Sequence, residues 1–136
     1  MINFYYETDF KLRNEKTVSE WIAIAIIDEE KTEGELNFIF VDDDYLHKLN
    51  VEFLQHDTLT DIITFDNSIG NILHSDIYIS VQRVADNAKD FESNFNEELS
   101  RVMIHGILHL CGYKDKGIND TELMRSKENY YLSKMV

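Results

Sequence analysis

The sequence predicts an α+β fold: a single small mixed β-sheet of about four strands covered by about five helices. Three observations predict it. Short β-rich runs and amphipathic runs at helical spacing alternate in mixed order along the chain. Polar caps and glycines separate them, and no proline occurs anywhere. The chain has 136 residues, 43% hydrophobic and 29% charged, which suits one globular domain over 1–136 and excludes a wholly disordered chain.

The elements follow in order. Ile2, Phe4 and Tyr6 alternate with polar or exposed positions, the period of a strand. Thr17-Val18-Ser19-Glu20 reads as a capping box. Val18, Trp21, Ile22, Ala25 and Ile26 then form one apolar stripe at helical spacing. Leu36 to Val41 is β-rich. Asp42 to Asp44 place negative charge where a helix start favours it, and Leu46, Leu49 and Phe53 mark the buried face of that helix. Asp61 to Phe65 and Asp76 to Ser80 read as strands separated by a loop containing Gly70. Val81, Val84, Ala85 and Ala88 fit another helix. Asn94 with Glu97 caps a helix running to about Cys111, ended by Gly112, and Asn119 with Glu122 opens a last one.

Composition bounds the function. The longest apolar run, Trp21 to Ile27, has seven residues, whereas a membrane helix needs ~20. The N-terminal MINFYYETDFK has no basic region and no long apolar region, so no secretory signal is expected. Cys111 is the only cysteine, which excludes an internal disulfide and fits a reducing compartment. The cytoplasm is the expected location, with no membrane partner. Net charge is −13, but it divides unevenly: the first 100 residues carry −15 and the last 36 carry +2. Long-range repulsion from phosphate is then expected, so any nucleic-acid role needs a local basic spot, a metal or a protein partner.

The chemistry lies in HGILHLCGYKD, beginning at His105. His105 and His109 are four apart, which puts both rings on one helix face. Two imidazoles so placed can share one metal ion, although such pairs also occur as core or boundary histidines. Gly112 can end the helix with a positive φ, and Asp115, three residues on, can then return to the same ion. One Zn²⁺ held by His105, His109 and Asp115 keeps an open position, the catalytic arrangement. A zinc peptidase carries a glutamate directly after the first histidine, where this chain has Gly106 and no group able to move a proton. Phosphodiester cleavage demands less of that residue, because the metal polarises a phosphoryl oxygen and acidifies a water or sugar hydroxyl.

Other candidates carry weaker readings. Thr60 and Asp61 brace a strand near the cleft. His47, His56 and His74 read as surface histidines, and Cys111 as a small buried hydrophobe off the ligand face. Tyr113 either packs over the site or stacks a base. Asp120 and Glu122 read as helix-capping residues.

The residues resemble the YbeY endoribonuclease, or rRNA maturation factor, family. His105, Gly106, Leu108, His109, Leu110, Gly112 and Tyr113 stand where the family motif H-G-x-L-H-L-x-G-Y-D-H has them. Upstream, Leu49-Asn50 with Phe53, Thr60 to Phe65, Asp76 to Ser80 and Asn87-Ala88 resemble further family segments in the right order, so the likeness spans about 36–135. It implies an α+β fold, a zinc ion, single-strand-specific RNA cleavage, and a role in small-subunit (16S) ribosomal RNA maturation and ribosome quality control. It also implies ribosomal RNA, the small subunit or assembly factors as partners. Three positions depart from the pattern. The family's third histidine is Asp115 and the acid before it is Lys114; its usual arginine after the aromatic is Leu54. Lys114 and Lys116 are the candidate replacements for phosphate contact. The alternatives are a non-catalytic, metal-stabilised ribosome-assembly factor, favoured by Leu54 and the net charge, and a zinc metallopeptidase.

Overall fold

The computed structural model describes residues 1–56 and 59–135. In chain order they form β1 (Ile2–Tyr6), α1 (Glu15–Asp28), β2 (Thr32–Val41), α2 (Asp43–Leu54), β3 (Ile62–Asp66), β4 (Ile72–Ser80), α3 (Val81–Asp90), α4 (Phe95–Leu110) and α5 (Gly117–Ser133). The strands make one sheet in the order β1-β2-β4-β3. The first three run parallel, and β3 returns antiparallel along the edge. This is the mixed α+β sheet the sequence predicts.

Strand alternation divides the sheet into two faces. Phe38 stands beside Ile77 and Phe40 beside Ile79, and both pairs enter the main core with Leu36, Leu73 and the inner face of α4. The α1 stripe of Val18, Trp21, Ile22, Ala25 and Ile26 packs into the same core, as its spacing predicts. On the opposite face α2 covers a smaller cluster of Val41, Leu46 and Ile63, with Leu49 half-buried against it. Phe53 departs from expectation and is exposed. Its ring meets Phe65 edge-on at 6.0 Å, but β3 is the sheet edge, so no further strand among the described residues covers it.

Four boundaries also differ. Helix α1 begins at Glu15 with Asn14 as its N-cap, so Thr17 to Glu20 lie inside the helix rather than capping it. Ser19 Oγ there donates to the Lys16 carbonyl (2.9 Å). Helix α5 begins at Gly117, two residues before Asn119. Strands β2 and β4 extend further towards their N-termini than predicted: the residues added to β2, Thr32 to Glu35, are mostly exposed, whereas those added to β4, Ile72 to Ser75, alternate with Leu73 and Ser75 buried. Two caps follow the sequence: Asp42 accepts from the Tyr45 N–H, and Asn94 from the Glu97 N–H, each at 2.8 Å.

Gly106 sets how closely α4 lies on the sheet. A Cβ there would stand 3.0 Å from Ile62 Cδ1 and 3.4 Å from Thr64 Oγ1. The position is therefore needed for close helix–strand approach, and it faces β3. Any side chain at this point would have to displace the end of Ile62, and glycine itself offers no peptidase base.

Candidate metal centre

Helix α4 buries Leu99, Val102, Met103, Ile104, Ile107 and Leu108. The 3.6-residue period then leaves His105 and His109 one above the other on its remaining face. The helix ends in a Schellman turn: the Gly112 N–H bonds the His109 carbonyl (3.0 Å) and the Tyr113 N–H bonds the Leu108 carbonyl (3.1 Å). Gly112 takes φ +107° to close it. The chain reverses, and Asp115 comes back over the two rings. Its Oδ2 lies 3.6 Å from His105 Nε2 and 3.4 Å from His109 Nε2, and the two Nε2 atoms are 2.9 Å apart. One ligand atom from each residue falls within 4.8 Å of the others, a grouping that can hold a metal ion.

The rings are oriented from behind. His109 Nδ1–H donates to the Tyr113 carbonyl (2.9 Å), which can only accept. His105 Nδ1–H donates to Glu128 Oε2 (2.7 Å). Both Nε2 atoms therefore point at Asp115. Two imidazole lone pairs and a carboxylate facing one point form a donor set that a cation satisfies.

Glu128 is a member of the site that no local sequence pattern singles out. It is only 5% exposed, and Arg101 Nη1 pairs with its Oε1 at 2.9 Å. Burial opposes its charge, but hydrogen bonds from His105 and Arg101 win and lower its carboxyl below the usual range. Burial likewise opposes a charged His105, yet Glu128, Asp115 and Asp61 outweigh it and raise that imidazole above its ordinary value. The signal available in the sequence is a glutamate on the stripe Met124, Glu128, Tyr131, all buried on α5. A charge on an apolar stripe implies a partner on the helix it packs against.

The turn carrying Asp115 has its own anchor. Tyr113 Oη donates to Glu29 Oε1 (2.7 Å), and the half-buried Glu29 also accepts from Tyr131 and Lys127. Burial pushes the Glu29 carboxyl up, but these bonds prevail and lower it. Tyr113, read from the sequence as packing over the site or stacking a base, is tied to this cluster through its hydroxyl and is not among the residues lining the two cavities at the trio. Cys111 is half-buried against the core, and burial pushes its thiol up to about 11.

Two open cavities meet over the trio at Asp61, Ile62, His105 and Asp115. One, of about 310 Å³, runs between α4 and α5 and takes in Phe91, Arg101 and Arg125. The other, of about 440 Å³, runs along β3 past Thr60, Thr64, Asp66 and Leu54. Thr60 braces the strand as expected, its Oγ1 donating to the Ile62 carbonyl (3.2 Å). Asp61 does more than brace: burial raises its carboxyl despite the charge on His105, and it lines both cavities. Lys114 and Lys116 are exposed on the turn, and neither belongs to these two cavity walls, whose cations are Arg101 and Arg125. His74 is structural, its Nδ1 accepting the Glu35 N–H (2.9 Å). Asp120 lies in the first turn of α5, where its charge suits the helix dipole. No helix among the described residues is long and apolar enough to cross a membrane.

Fold and site together define an α+β protein with a helix-borne histidine pair and a turn-borne carboxylate in an open groove. The family described as Endoribonuclease YbeY matches residues 2–136. The Endoribonuclease YbeY of Flavobacterium johnsoniae is 63% identical over 129 residues, covering 95% of this chain and 93% of that protein. That of Christiangramia forsetii is 58% identical over 127 residues, covering 93% and 89%. A solution structure of a Thermotoga maritima protein superimposes with a TM-score of 0.69 at 29% identity, covering 99% of this chain and 89% of that one. The chain belongs to the Endoribonuclease YbeY family, a family of RNA-cleaving hydrolases.

Proposed function

We propose that this chain is a zinc-dependent, single-strand-specific endoribonuclease of the cytoplasm. We further propose that it acts on small-subunit ribosomal RNA with the small subunit or its assembly factors as partners. His105, His109 and Asp115 hold one Zn²⁺. The observation that carries this reading is the pair of committed Nδ1 atoms, which leaves both Nε2 lone pairs converging on the Asp115 carboxylate.

When bound, zinc supplies a Lewis acid that polarises a phosphoryl oxygen and acidifies a water or sugar hydroxyl. The protein's own groups do the rest. Glu128 holds the proton on His105 Nδ1, and the Tyr113 carbonyl holds the one on His109 Nδ1, so neither ring can turn its lone pair away. Asp61, its carboxyl raised by burial and its side chain on both cavity walls, is placed to exchange a proton with substrate in the groove. Arg101 and Arg125 oppose the charge of the nucleic acid, and Lys114 and Lys116 add positive charge at the turn.

Elemental analysis of the purified protein beside an Asp115→Ala variant tests the metal, and cleavage of single-stranded against double-stranded RNA tests the activity. The expected result is about one zinc per wild-type chain, less in the variant, and cutting of single strands only. Zinc removal that unfolds a protein whose holo form cuts no RNA would instead support a metal-stabilised assembly factor.

A further inference from the structure

The two cavities that meet at the trio differ in charge. The cavity along β3 carries Asp61, Asp66 and Asp115 and neither lysine nor arginine. The one between α4 and α5 carries Arg101 and Arg125 at the mouth of the same trio. Both cavities share Asp61 and Asp115, and the further carboxylates of this one, Glu98 and Glu128, are buried. Glu98 is raised by burial and by Asp61, and Glu128 is taken up by His105 and Arg101.

The two arginines are not equivalent. Arg101 spends its guanidinium inside the fold, on Glu128 Oε1 (2.9 Å) and Asn129 Oδ1 (2.8 Å). Arg125 has a side chain 56% exposed, and its carboxylate neighbour among the described residues is Glu128 at 4.0 Å, the outer limit of an ion pair. Phe91 closes the same cavity from the α3–α4 turn and is 65% exposed. An uncovered aromatic ring and an exposed guanidinium thus line a space of about 310 Å³, at the lower end of the size range of ligand cavities.

We propose that this cavity is a nucleotide subsite, in which Phe91 stacks the base next to the scissile linkage and Arg125 pairs with a neighbouring phosphate of single-stranded RNA. The proposal rests on the endoribonuclease reading and deepens it. Single-strand recognition by proteins combines aromatic stacking with a cationic contact to the backbone, and both are present here in the lining of one cavity. The arrangement also gives a reason for strand selectivity, because a base must leave its helical stack to lie on Phe91. It answers the charge problem as well: in a chain of net charge −13, the cavity on one side of the trio offers arginine to a phosphate, whereas the other adds Asp66 to the shared Asp61 and Asp115 and offers no cation. The direction in which the strand crosses the trio is then set by the protein.

The test uses zinc-loaded protein and a labelled single-stranded RNA oligomer in which one abasic nucleotide is moved along the sequence. Wild type should lose about tenfold in kcat/KM when the gap falls at one position beside the cut. Phe91→Ala should lose about tenfold on intact RNA and show no further loss at that position, while Phe91→Trp should keep the wild-type profile. Arg125→Ala should flatten the salt dependence of RNA binding, read by fluorescence anisotropy, by about 0.7 in log–log slope, the share of one phosphate on a single strand. The inference is overturned if Phe91→Ala keeps the wild-type abasic profile and Arg125→Ala the wild-type slope. Failure of the underlying reading looks different: His105→Ala would then cut RNA as well as wild type. In that event the abasic series, read by anisotropy, decides for or against the subsite from binding alone.

Discussion

The histidines and the aspartate reach one point by different means. His105 and His109 stand on a helix whose inner face is core, and each has its second nitrogen tied down, one to a buried carboxylate and one to a carbonyl. Asp115 is 49% exposed on a turn. What holds it is backbone: the Schellman closure before it, and after it Thr121, whose Oγ1 reaches the Asp115 carbonyl at 3.4 Å. The helix half of the site is therefore set in advance, whereas the carboxylate completes it. Preorganised ligands lose little freedom on binding, and exposed ones lose more. The halves should respond unequally to change.

The largest effect tests that inequality directly. His105→Ala or His109→Ala should leave no zinc after dialysis against a weak chelator, with the fold intact by circular dichroism. Asp115→Ala should keep a substoichiometric amount, and Asp115→His should restore full loading, since either side chain can supply a ligand from that turn. Equal loss from all three alanine variants would break the comparison.

Glu128→Gln comes next, because it disturbs the preset half without removing a ligand. Outer partners of ligating histidines are worth about 10–100-fold in metal affinity, and a competition titration should show a loss in that range. The apoprotein should also lose about 2 kcal/mol near pH 6, as a hydrogen bond to a charged partner is given up. The sign of the pH dependence follows from the two shifts. His105 is raised above 6.5, so its contribution is complete below that value and fades as pH rises through the raised one. Glu128 is lowered below 4.5, so its share is present above that value and is lost only in stronger acid. The gap between wild type and Glu128→Gln in urea denaturation should be widest between those limits and narrower at pH 9. Zinc loading should run the opposite way and weaken on acidification, because protons compete for the same imidazoles. A gap that grows with pH contradicts the assignment.

The contrast also explains what the sequence discloses. The stripe of α1, the Asn94 cap, the histidine spacing and the glycine before Asp115 are local patterns, written within a few residues, and each is found where those patterns predict it. Glu128 escapes such patterns because its partners, Arg101 and His105, lie on another helix, and the rotation of α5 against α4 is a tertiary fact. The cations of the groove behave the same way. Leu54 shows that the end of α2 supplies no arginine, but only packing shows Arg101 and Arg125 on the cavity wall. The start of α1 is displaced from its predicted place because Asn14 makes no side-chain cap, whereas Thr17 offers a better local pattern inside the helix.

The smallest effect belongs to Tyr113→Phe, which loosens the turn alone. The change deletes the hydrogen bond to Glu29 but strands no buried charge, since Glu29 keeps Tyr131 and Lys127. The His109 bond uses the Tyr113 carbonyl, which the substitution leaves in place. A stability loss of about 1 kcal/mol is expected for one net hydrogen bond. Zinc affinity should fall by only a few fold, well short of Glu128→Gln, because the histidines stay oriented while Asp115 alone gains freedom. Calorimetric melts with and without zinc measure both quantities on one sample. If Tyr113→Phe weakened zinc as much as Glu128→Gln, the turn would be as much a part of the preset framework as the helix, and the division between the two halves would fail.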